Sequence, residues 1–350
     1  MKLNRYDQIL KLIVDDFIET AQPVGSEALL SKHNLDCSSA TIRNVMVRLE
    51  EDGYIEKTHT SSGRIPSKKG YAYYLQNLDV EETENDVSKE FEDNFKLILA
   101  NKNKSIENVM EHSCKVLSEV TNLATVYLGP KASSEKLASM QLIRLSNQTV
   151  SIILVTDQGY VENKTFIIPN DINVENLNKC VELINQRVVG TSLDSLQEKI
   201  TQIGPLLTKQ LGKEANLIME AFKEAVIMVA KNRVMSFGKD KLLTMPEYNQ
   251  SKDDLQDIIK TMNDDDEIAD KINNSKDLHG IKVNLSNEDD SKDIAVVSKN
   301  IGNDNSKGQI AVVGPKRMNY KKVIKALEAI GKILDEYFYV EGEEDEQQRR

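Results

Sequence analysis

The strongest constraint on this chain is a change of periodicity between Ser38 and Leu78. "SSATIRNVMVRLEEDGY" repeats apolar residues at helical spacing and stops at Gly53. "YIEK" and "RI" then read as two short strands on either side of the turn "THTSSG", and Pro66-Ser67 opens a helix containing "GYAYYLQNL". Upstream, "RYDQILKLIVDDFIET" sets Tyr6, Ile9, Ile13 and Phe17 on one helical face, and "QPVGSEALLSKHN" gives a short second helix after Pro23 and Gly25. Three short helices followed by a β-hairpin is the pattern of a winged helix-turn-helix.

This third helix, with Ser38 or Ser39 as its cap and Gly53 as its stop, has two faces of different chemistry. Ile42, Val45, Met46 and Leu49 point to a small core, while Ala40, Asn44 and Val47 point away, flanked by Arg43 and Arg48. Arg forks pair with guanine, Asn with adenine, and small apolar groups touch a thymine methyl, so this face suits a major groove. Ser39 and Thr41, in its first turn, complete the expected contacts. The hairpin adds "KTHTSSGRIPSKKG", residues 57–70, with four Lys/Arg, one His and five Ser/Thr but no Asp or Glu, in a chain of net charge −11. Lys57, His59, Thr60, Ser61, Arg64 and Lys68 are the groups expected to hold phosphates, since a carboxylate among them would repel the backbone. Hairpins of this kind also serve as protein-docking modules; the absence of carboxylates favours double-stranded DNA.

At 350 residues the chain exceeds one ordinary core, and two or three domains are expected. Residues 1–78 carry 10 Lys/Arg and 10 Asp/Glu, so the remaining 35 and 46 hold the whole negative excess. No apolar run reaches membrane-spanning length, and a cytoplasmic protein with no membrane partner is expected. Cys37, Cys114 and Cys180 are odd in number and far apart, and His112 beside Cys114 lacks a second pair, so neither disulfides nor a metal site is expected. No catalytic constellation and no cofactor fingerprint stands out. "VVGPKRMNY" lacks a phosphate-binding motif and reads as a turn at Gly314-Pro315 with Asn319 capping a helix.

The expected architecture is α+β and multidomain. Residues 1–78 form the winged helix, 79–95 an acidic linker, 96–130 with 233–340 an α/β domain, 131–232 a three-stranded, helix-flanked insert, and 341–350 a disordered acidic tail. Gly204-Pro205 reads as a break before the broadly apolar helix "EANLIMEAFKEAVIMVAK". Because 1–78 needs its apolar stripes for its own core, pairing of two copies is expected in 131–232, which offers three helical stripes and that helix; the helix itself reads both as core and as dimer interface, on different faces.

"SSATIRNVMVRLEEDGYIEKTHTSSGRIPSKKGYAYYLQNL" resembles the N-terminal domain of the HrcA family, heat-inducible repressors of bacterial chaperone operons. "LATVYLGP", "VTDQGYVENKTFIIP", "LLTMPEY" and "GQIAVVGPKRMNYKKVI" extend the resemblance over nearly the whole chain. It implies a homodimer on an inverted-repeat operator called CIRCE, released on heat stress, with the chaperonin as a partner. It also implies that the α/β domain is GAF-like and that the insert dimerises. Thr58 stands where the family usually has Pro, and Ala72 where it usually has Arg. Two rival classes are a metabolite-responsive regulator and an enzyme that uses its winged helix for docking.

Overall fold

The computed structural model describes residues 4–57, 63–77, 95, 106–130, 135–170, 172–229, 233–246, 248, 252–285, 294–302 and 308–348. The fold is mixed α and β, and the chain divides into two compact units: Met1–Leu128 with Val234–Arg350, and Gly129–Arg233.

The first unit begins with α1 (Arg5–Thr20), α2 (Ser26–Lys32) and α3 (Ser39–Glu51), then the antiparallel strands β1 (Ile55–Lys57) and β2 (Arg64–Pro66), then α4 (Lys68–Asn77). We call residues 4–77 the head. Asn4 caps α1 and Ser38 caps α3, each side chain accepting a backbone N–H three residues on. The apolar stripes meet as expected, with Ile9, Ile13, Leu29, Ile42, Met46 and Leu49 all buried. The head core does not close on itself, however. Tyr71 and Tyr74 of α4 belong to one apolar cluster with Tyr320, Leu327 and Ile330 near the C-terminus, so the head's stripes are not all used internally.

After α5 (Ile106–Thr121) and β3 (Ala124–Leu128) the chain enters the second unit and returns at β7 (Val234–Phe237). Leu128 and Val234, where it leaves and rejoins, are register partners. The six-stranded antiparallel sheet has the order β7, β3, β11 (Gln309–Gly314), β10 (Ala295–Asn300), β9 (Ile281–Leu285) and β8 (Lys276–Leu278). α5 and α12 (Tyr320–Gln348) supply the helical part of the core on one face. α9 (Lys239–Leu243), α10 (Lys252–Asn263) and α11 (Asp265–Asn273) supply it on the other. Covering both faces explains why "AVV" and "IAVV" are continuously apolar, with no polar alternation in those runs. α11 and β8 were not read from the sequence.

Of the expected linker, residues 79–94 lie outside the described residues, and Phe95 is buried in the apolar cluster. One expectation about this unit is corrected. The stretch expected as a disordered tail continues α12 to Gln348, because Glu and Gln propagate a helix well once Asn319 has capped its start.

In the second unit β4 (Leu137–Arg144), β5 (Thr149–Thr156) and β6 (Val161–Ile167) form an antiparallel meander. α6 (Val174–Val188), α7 (Leu193–Leu211) and α8 (Lys213–Val229) bury their stripes against one face of it, around Met140, Ile152, Ile184, Leu196 and Phe222. Gly204-Pro205 does not break the chain: α7 runs through Pro205. A Cβ on Gly204 would lie 2.8 Å from the Met219 methyl, so the glycine serves close packing of α7 on α8. Glu135 is fully buried and takes both Nη groups of Arg233, whose guanidinium lies 3.4 Å from the Tyr160 ring centroid.

Candidate nucleic-acid interface

The site is built on α3 and the hairpin that follows it. Ser38 Oγ accepts the Thr41 N–H at 3.2 Å and starts the helix one residue before its first exposed position. With Ile42, Met46 and Leu49 turned inward, Ala40, Arg43, Asn44, Val47 and Arg48 stand on the outer side. Val47 is 41% exposed, an isolated apolar group between polar forks. Arg48 stands at the edge, its guanidinium 5.8 Å from the Tyr6 ring centroid.

Ser39 and Thr41 have other partners. Ser39 Oγ bonds Ser26 Oγ at 3.2 Å and ties α3 to α2, while the Thr41 hydroxyl lies 3.0 Å from Ser38 Oγ within the cap. They set the helix in place.

The hairpin differs from the expected carboxylate-free grip. Glu50 of α3 reaches it, lying 2.7 Å from Arg64 Nε and 3.3 Å from Lys57 Nζ. Arg64 is mostly buried, and its backbone pairs with Val24 through bonds of 2.8 and 2.9 Å. It braces the hairpin against α3. Burial pulls the Glu50 carboxyl upward, but hydrogen bonds from Arg64 and Lys57 outweigh this and leave it below the usual carboxylate range. The brace is therefore present at neutral pH and is lost as pH falls through that lowered value.

Lys57 remains well exposed and Lys68 is half-buried at the start of α4. His59, Thr60 and Ser61, with Thr58, lie outside the described residues. Gly63 packs on Pro23, where an added Cβ would come within 2.8 Å of the backbone. Its role is close approach.

Sequence reasoning missed the groups that hold the head together. Tyr6 donates to Asp52 at 2.5 Å, and Asp16, buried in α1, accepts from Lys32 at 2.8 Å and lies 3.0 Å from His33 Nε2. Lone carboxylates on a mixed helix carry no periodic signal, so only the fold reveals them.

A family model described as the HrcA protein C terminal domain matches residues 107–324. The heat-inducible transcription repressor HrcA of Oceanobacillus iheyensis is 37% identical over 333 residues, 92% of this chain and 93% of its own. The chain belongs to the HrcA family. The HrcA repressor of Halalkalibacterium halodurans is 33% identical, covering 95% of this chain and 97% of its own. These relatives are named for a regulatory role, and the family is not an enzyme family. A crystal structure of a hypothetical protein, 23% identical, superposes with a TM-score of 0.57 over 96% of this chain and 99% of that one, a likeness of fold. Among the described residues no helix is long and apolar enough to cross a membrane.

Proposed function

We propose that the chain represses transcription as a homodimer on an inverted-repeat operator of the CIRCE type. In this reading the head is a winged helix-turn-helix, α3 enters the major groove, and the β1–β2 hairpin rides on the phosphate backbone. The six-stranded domain is GAF-like, residues 131–232 join the two copies, and heat releases the operator. The chaperonin is the partner that keeps the repressor active. The observation that carries the reading is the outer face of α3, where Arg43, Asn44 and Val47 stand together on a capped, internally braced helix.

Asn44→Ala is expected to weaken cognate binding by about 1–3 kcal/mol and relax discrimination at one base pair per half-site. Gel shifts on cognate and scrambled duplexes measure this; a wild-type ratio between the two would exclude base readout by Asn44. The braced hairpin gives a second expectation. Lys57→Ala should reduce the slope of log affinity against log salt by about 0.9. Arg64→Ala should leave that slope unchanged, because its guanidinium is mostly buried against Glu50, whereas Lys57, also near Glu50, stays well exposed. Equal slope changes in both variants would return Arg64 to the phosphate contacts.

A surface for pairing is available in the second unit. The sheet face turned away from α6, α7 and α8 carries Ile143, Ile153, Val155, Val161 and Ile167 among Ser, Thr, Asn and Gln, and its register places no charged residue there. Val161 is 54% and Ile167 76% exposed. In a chain of net charge −11, such a face lets two copies approach without like-charge repulsion. α8 buries Ile218, Phe222, Ala225 and Val226 in its own unit and leaves Ile227 and Met228 exposed, so its two faces divide between core and surface.

A further inference from the structure

We propose that the turn before α12 is a seat for the head, and that Arg317 and Lys321 are positioning residues that fix which half-site spacing the repressor accepts. The inference rests on the two-half-site reading above.

The seat is rigid on the body side. Met318 N–H bonds the Pro315 carbonyl at 2.9 Å, Asn319 caps α12 through the Lys322 N–H at 3.0 Å, and Tyr320 donates to the Lys316 carbonyl at 2.6 Å. The head meets it through three kinds of contact. Arg317 Nη1 donates to the Ile18 carbonyl at 3.3 Å, at the end of α1. Lys321 Nζ lies 3.6 Å from Asp15, which also accepts from Tyr74 at 2.6 Å. Tyr71 and Tyr320, both buried, have ring centroids 5.8 Å apart.

An apolar cluster that continues across the joint resists swivelling, since sliding would open voids on both sides. The contacts also bear on α1 and α4, the helices against which α3 and the hairpin pack. A two-fold reader discriminates spacing only when its two heads are held in fixed directions. The polar contacts at Ile18 and Asp15 add direction to that packing, because a hydrogen bond weakens steeply once donor and acceptor are misaligned.

The test uses the full chain and a set of inverted repeats whose centre-to-centre spacing varies in single base-pair steps. Arg317→Glu with Lys321→Glu sets two carboxylates against a carbonyl oxygen and Asp15. The wild type is expected to show a sharp optimum, and the double variant a profile flattened to within about threefold, with binding to a single half-site unchanged. Tyr320→Ala provides a second variant, and circular dichroism with the single half-site titration shows that each variant is folded. Retention of the wild-type spacing profile in both folded variants would overturn the seat. A wild-type protein indifferent to spacing would instead overturn the two-half-site reading, and that outcome appears in the wild-type arm alone.

Discussion

Val161→Asp with Ile167→Asp is expected to convert the protein to a monomer and to lower operator affinity by roughly a thousandfold. Both side chains are largely exposed in the single chain, so the substitutions leave its core untouched. In the proposed dimer each would place a carboxylate in an apolar contact with no cation on the facing copy, because the face carries no charge. Losing the second half-site removes most of the specific affinity, while binding to one half-site should persist. Light scattering gives the mass and an operator titration gives the affinity. A dimer of unchanged affinity would move the contact away from this sheet face.

Glu135→Ala is expected to destabilise the second unit by about 3–5 kcal/mol. Glu135 is fully buried and receives two hydrogen bonds from Arg233, so its removal strands a guanidinium charge away from water. Stacking on Tyr160 offsets only part of that cost. Replacing both partners, Glu135→Leu with Arg233→Met, should recover most of the loss, since an apolar pair of similar volume avoids the desolvation penalty. Chemical denaturation of the three proteins checks the order. If Glu135→Ala lost less than about 1 kcal/mol, the pair would behave as a solvated one.

Much of this protein follows from its sequence. The helical stripe that ends at Gly53, the short strands after it and the caps at Ser38 and Asn319 are local signals, each set by sterics and hydrogen bonding within a few residues. The alternation in "TVSIILVT" and the run in "QIAVVG" likewise announce strands, one with a free face and one covered on both. The outer face of α3 was legible because helical spacing alone decides which residues share a side.

Tertiary structure decided what depends on residues far apart in the chain. Glu50 pairs with Arg64 and braces the hairpin against α3, an ion pair that spacing does not reveal. Pro205 stays helical and Gly204 packs on Met219, because burial overrides a local preference for breaking. Tyr71 meets Tyr320 across most of the chain, and Glu135 meets Arg233 across nearly the whole second unit. Local chemistry fixes elements and faces, whereas partners are chosen only when the chain closes, since side chains distant in sequence then compete for the same burial.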